Sequence, residues 1–180
     1  MIDLTKKSLP NTVRLNGRDF SVYTDYRVWI RFETDLKKNI GKPFSVDYLF
    51  KNDHPLYIRI PDLFAFSRPK NILPREMRSS HVIALDYELD SDYIYAAFLQ
   101  QYGIDLIDIP ELHWHKFLAL LRGLKGTKLD EIMGYRFYQK ETRKDLDPYE
   151  ILRDAWMIEP PMSEEEQAEL DEFSKTFGGT

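Results

Sequence analysis

The sequence contains no cysteine. That removes a disulfide framework, thiolate chemistry and cysteine-ligated zinc together. Long apolar runs are missing as well: the most apolar window, Trp114 to Leu124, is interrupted by His115, Lys116 and Arg122, which excludes a membrane-spanning helix of about 20 residues. The opening MIDLTKKSLP lacks the apolar stretch of a secretory signal, and the expectation is a cytoplasmic protein. Excess positive charge is absent too. With 25 basic against 30 acidic residues the net charge is -5, which works against general binding to a phosphate backbone. No serine stands in a G-x-S-x-G setting, and Gly126-Thr127-Lys128 reverses the order a phosphate-binding loop requires. Carboxylates are plentiful, but none is singled out as an acid and base pair. These absences lead us to expect a protein that is not an enzyme and takes no cofactor or metal.

What is present is enough for one domain over residues 1–158, followed by an acidic C-terminal helix or tail over 159–180. The fold class implied is mainly α, with an N-terminal β-hairpin, α+β at most. Val13, Leu15, Phe20 and Val22 alternate around Asn16-Gly17, a dipeptide suited to a two-residue hairpin turn over 12–23. Thr24 or Asp25 then caps a helix with Val28, Trp29, Phe32 and Leu36 on one side, ended by Gly41 and Pro43. Ser45 begins a short helix through Val46, Leu49 and Phe50. Leu56 to Ile60 alternates like a strand between Pro55 and Pro61, and Asp62 starts another helix. Residues 67–80 hold Arg68, Lys70, Arg75 and Arg78 among prolines, the composition of an exposed basic loop. Val82 to Leu89 reads as a strand or an extended lead-in.

The core is predicted over residues 90–136, as three helices on short turns. Ser91 caps the first, which Gly103 ends. Asp108, Pro110 and Glu111 start the second, which carries Trp114, Phe117 and Leu121 and stops at Gly123. Thr127 and Asp130 open the third, closed by Gly134. Further on, Asp147, Pro148 and Glu150 start a helix with Ile151, Leu152, Ala155 and Trp156 on one side. Ser163 and Glu166 begin a last acidic helix with a narrow stripe of Leu170, Phe173 and Phe177.

Two clusters invite functional readings. His113 and His115 flank Trp114, yet residues two apart on a helix point about 200° away from each other, and no third ligand is evident. Gly123-Leu124-Lys125-Gly126 copies the loop with which some domains clamp a nucleic-acid backbone, but both glycines have local explanations as a helix stop and a turn. The sequence also carries 11 Tyr, 11 Phe and 3 Trp, a high content for this size; most are expected in the core, and a remainder at the surface would suit a protein that holds another chain.

The words D-Y-I-Y-A-A-F-L-Q-Q-Y-G-I-D-L, L-H-W-x-K-F-x-A-L-L-x-G-L and K-x-x-E-I-M-G-Y-R, spanning Asp90 to Arg136, resemble the bacteriophage gene product fifteen family of tailed phages and prophages of Gram-positive bacteria. Tyr23 to Glu33 is a weaker echo of the family's opening. The prolines of 43–68 depart from a region that is usually helical there, and the resemblance fades beyond Arg136. Tyr93, Phe98, Trp114, Phe117, Leu121 and Tyr135 are the motif residues assigned to folding. The resemblance implies a tail morphogenesis protein acting in the bacterial host cytoplasm: a tail assembly chaperone that binds the tape-measure protein, self-associates, touches the major tail protein and is absent from the virion. Its contacts are expected at Leu170, Phe173 and Phe177 and at Arg68, Lys70, Arg75 and Arg78. The alternatives are a structural tail or connector subunit retained in the virion, and a nucleic-acid binder acting through the basic loop 67–80.

Overall fold

The hairpin forms where the alternation places it, as β1 (Thr12–Leu15) and β2 (Arg18–Ser21) in antiparallel register, Leu15 opposite Arg18 and Val13 opposite Phe20. Asn16 and Gly17 between them have φ of 50° and 79°, the positive pair that matches a two-residue turn to the twist of its strands. Val13 and Leu15 are buried. The computed structural model describes residues 2–68, 82–139 and 147–160, and in them this sheet is joined by six α-helices, so the fold is mainly α.

Helix α1 (Tyr26–Lys38) starts at Asp25, whose carboxylate accepts the Arg27 N–H at 3.0 Å. Tyr26, Trp29 and Phe32 form its buried face, the three-residue spacing of an amphipathic helix. Lys37 and Lys38 in its last turn favour the negative end of the helix dipole and pair with Asp86 and Glu88. Burial would raise the Asp86 pKa, but the Lys37 ammonium and the N–H groups of Leu89 and Glu88 outweigh it and hold the carboxyl below its ordinary value. The helix expected from Ser45 is a single 3₁₀ turn, Asp47–Leu49, with the Ser45 hydroxyl accepting the Asp47 N–H.

The strand expected over Leu56 to Ile60 does not form. Alternation makes a strand only where a neighbour pairs with it. Here Leu56 is fully exposed and Tyr57 mostly so, while Ile60 belongs to helix α2 (Ile60–Ser67). That helix begins before Asp62 because Pro61 is pre-set for a first turn. Residues 82–89 form an irregular lead-in and a turn, with no strand.

Helix α3 (Ser91–Tyr102) is capped by Asp90, one residue ahead of the expected Ser91, and ends at Gly103 with φ 64°. Asp90 is spent inward: its carboxylate accepts the Asp86 N–H at 2.9 Å, while that of Asp86 accepts the N–H groups of Glu88 and Leu89. Helix α4 (Trp114–Gly123) begins well after the predicted Asp108. The backbone ahead of it is committed elsewhere: the Leu112 carbonyl accepts the Tyr26 N–H at 2.9 Å and the Trp114 N–H donates to Thr24 at 2.6 Å. Gly123 is the last residue of α4, with no positive φ. It leaves room instead for the Tyr102 hydroxyl, from which a Cβ there would lie 2.9 Å.

Helix α5 (Lys128–Phe137) opens on a reciprocal cap, the Thr127 hydroxyl accepting the Asp130 N–H and the Asp130 carboxylate accepting that of Gly126. It runs past Gly134, where a stop was predicted, because one interior glycine costs a helix only about 1 kcal/mol. Helix α6 (Pro148–Trp156) starts at Asp147 as expected, that side chain accepting the Tyr149 N–H. The predicted helix from Ser163, with Leu170, Phe173 and Phe177, and the loop residues Lys70, Arg75 and Arg78 lie outside the described residues.

The backbone separates into two compact units, Met1–Arg78 with Asp86–Glu131, and Ser79–Leu85 with Ile132–Thr180. The first is built on rings. Phe117 of α4 stacks on Tyr26 at 4.8 Å, Phe98 at 5.1 Å and Trp114 at 5.6 Å, and Trp29 stacks on Phe66 at 4.6 Å. Of the family-motif residues, Phe98, Trp114 and Phe117 are fully buried, and Tyr93, Leu121 and Tyr135 are half-buried. In the second unit the buried Arg136 guanidinium donates to Trp156 O and Ala84 O, tying α5 to the end of α6.

Candidate functional site

The two histidines are closer than a continuous helix would allow. His113 precedes α4, so its ring stands 5.1 Å from that of His115. Its Nδ1 accepts the His115 N–H and its Nε2–H donates to Pro10 O, which occupies both ring nitrogens. His115 Nε2–H donates to Phe66 O at 2.8 Å, and Trp114 Nε1–H to Ser67 O at 2.8 Å. The first turn of α4 thereby satisfies carbonyls that the last turn of α2 leaves open. Burial, opposed by the Phe66 carbonyl, lowers the His115 pKa to about 4. Among the described residues no group of three His, Asp or Glu side chains is placed to hold a metal ion.

The Gly123 to Gly126 turn is equally committed. Lys125 N–H donates to the Gln101 side chain at 2.8 Å and Gly126 N–H to Asp130 at 2.9 Å. Two of the amides that would clamp a phosphate are thus already taken by side chains of the protein. Arg68, the described member of the basic set, caps α2 with its guanidinium 3.8 Å above the Phe64 ring and 4.0 Å from Glu33. Burial raises the Glu33 pKa against the opposing pull of Arg68 and Ser67. Arg68 is therefore held within its own unit.

An apolar surface does stand open on α6. None of its residues is fully buried. Leu152 and Trp156 are half-covered, whereas Tyr149, Ile151 and the following Met157 are each more than half exposed, as is nearly half of Phe137 at the end of α5. Tyr149 and Ile151, two apart on the helix, lie on opposite margins of the half-covered Leu152 and Trp156 face, and the Tyr149 ring is held 5.4 Å from Tyr138 and 6.3 Å from Tyr135. With no reactive group among them, these side chains can shed water against an apolar partner and do little else. The sequence showed the amphipathic pattern of Ile151, Leu152, Ala155 and Trp156 but not that half of it faces solvent, and it did not single out Tyr149 or Met157.

No curated protein and no solved structure matches the chain. The family model described as Bacteriophage Gp15 protein matches residues 60–157. The match takes in Asp90 to Arg136 and continues through α6, further than the resemblance read from the sequence, and leaves out Tyr23 to Glu33. More than half of the chain is covered, and the chain belongs to the bacteriophage Gp15 protein family.

Proposed function

We propose that this phage protein is a tail assembly chaperone, which covers apolar stretches of the tape-measure protein and departs as the tail tube closes around it. The observation that carries the reading is the open surface of α6 within the family-matched residues. A long helical partner exposes apolar stripes, and a net charge of -5 keeps the chaperone and its cargo dispersed. Several half-exposed side chains, in place of one buried anchor, suit binding that must be reversed. Leu170, Phe173 and Phe177, with Arg68, Lys70, Arg75 and Arg78, are further candidate contacts.

Co-expression with a phage tape-measure protein tests this. The tape-measure protein becomes soluble in the company of this chain, and Ile151→Asp with Met157→Asp removes the effect. Mass spectrometry of purified virions then finds the chain missing. Its presence in stoichiometric amount would make it a tail subunit instead.

A further inference from the structure

One edge of the hairpin is open, and a cavity lies along it. In a two-residue hairpin the closing pair, here Leu15 and Arg18, exchanges hydrogen bonds, and bonded positions then recur at every second residue. The Val22 N–H to Asn11 O bond at 3.0 Å continues the same phase. Asn11, Val13 and Leu15 therefore face β2, and Thr12 and Arg14 turn their N–H and C=O groups away from it. Among the described residues neither of these two backbones has a partner. The far side of β2 differs, since its continuation is paired by Tyr23 N–H to Leu49 O and Lys51 N–H to Ser21 O.

Beside the open edge lies a cavity of about 540 Å³, walled by Lys6, Ser8, Thr12, Arg14, Phe66 and His115 among others, with no residue of β2. It is lined from the β1 side, with Ala65 and Phe66 of α2 opposite. The floor is apolar and aromatic; on the rim Lys6 pairs with Asp3 at 3.8 Å, and the exposed Arg14 donates to Gly17 O at 3.2 Å. Residues 2–23 hold Lys6, Lys7, Arg14 and Arg18 against Asp3 and Asp19, a local excess of positive charge in an acidic chain. Asp3 is further engaged by Thr5 at 2.7 Å.

We propose that the outer edge of β1 is a docking site for an extended acidic peptide of a partner protein, which adds as a third strand beside Thr12 and Arg14 and sets apolar side chains into the cavity. Strand addition supplies main-chain hydrogen bonds for affinity, and alternate side chains supply specificity. Charge selects the occupant: a second copy would bring an equally basic edge against this one, whereas carboxylates on the peptide's outer positions meet Lys6 and Arg14. This site is separate from α6 and does not depend on the tape-measure reading.

The test uses the full chain and labelled peptides of about eight residues, long enough to line a strand. One alternates glutamate with valine and the other lysine with valine. Fluorescence anisotropy shows the acidic peptide binding, with affinity that falls as salt is added, and the basic peptide not binding. Thr12→Pro deletes one outward N–H while leaving the bonds to β2 intact, a substitution edge strands tolerate, and weakens binding by about tenfold or more. Arg14→Glu, at an exposed position, weakens it independently of any backbone change. Thermal unfolding confirms that both variants fold. Equal binding of the two peptides, unchanged binding by both variants, or a dimer of the chain that Thr12→Pro dissolves would each overturn the proposal.

Discussion

Burial sets the protonation state of His115, and the last turn of α2 depends on it. The imidazole N–H is spent on Phe66 O, and the folded pKa of about 4 lies below the ordinary 6.5. The unfolded chain therefore takes up the proton first. The stabilisation is complete above pH 6.5 and declines as pH falls toward 4, a loss on the order of 3 kcal/mol. Glu33 acts with opposite sign, because burial raises its pKa and protonation then favours the fold as pH falls. Asp86, held below 3.8, loses its contribution only at lower pH. The difference between the native chain and His115→Gln isolates the histidine, since the amide can still donate to Phe66 O but does not titrate. Urea midpoints at pH 7 and pH 4.5 should fall further for the native chain, and equal falls would refute the assignment. Gly123 offers a second residue test. Its missing Cβ leaves room for the Tyr102 hydroxyl, which donates to Leu120 O at 2.9 Å. Gly123→Ala gains helix propensity but displaces that hydroxyl, so the change is close to neutral. In a Tyr102→Phe background the clash is gone and the same substitution stabilises by about 0.5 kcal/mol, read from thermal midpoints.

At the scale of elements, what could be read from the sequence depended on distance along the chain. The hairpin, the end of α3 at Gly103 and the cap of α6 at Asp147 were readable because their causes are adjacent residues. The start of α4 was not, because Asp25 decides it from a distance. The Asp25 carboxylate accepts both the Arg27 N–H of its own helix and the Leu112 N–H. The Arg27 guanidinium donates to Leu106 O at 2.8 Å and Ile109 O at 2.9 Å. One aspartate thus caps α1 and holds the connector that Asp108, Pro110 and Glu111 would otherwise have begun as helix. The same limit governs the candidate sites. The outward amides of β1 follow from its turn, but the cavity beside them depends on α2, and the exposure of Ile151 depends on what fails to cover it. Asp25→Ala is expected to cost about 2 to 3 kcal/mol, from a lost cap and a lost anchor, whereas Asp25→Asn keeps the cap and costs less. Denaturant unfolding of the two variants measures the order, and Asn at least as damaging as Ala would contradict this account of Asp25.

For the molecule as a whole, the family-matched residues and the folding unit do not have the same bounds. The match begins at residue 60, after α1, yet the first unit takes α1 as a wall of its core. Tyr26 stacks on Phe117 and Trp29 on Phe66, and Trp29 and Phe32 are wholly buried. Removing three such side chains gives up about 3 to 5 kcal/mol each, comparable in sum to the whole stability of a domain this size. It would also uncover Phe66 and Phe117. A fragment of residues 60–157 is therefore expected to keep helical far-ultraviolet dichroism while losing its near-ultraviolet signal and cooperative unfolding, and to bind a hydrophobic dye. Adding back residues 2–59 as a separate chain should restore the near-ultraviolet signal in proportion to complex formed. If the fragment instead unfolds cooperatively at the same midpoint as the full chain, α1 is dispensable and the ring stack around Phe117 is not what holds the first unit together.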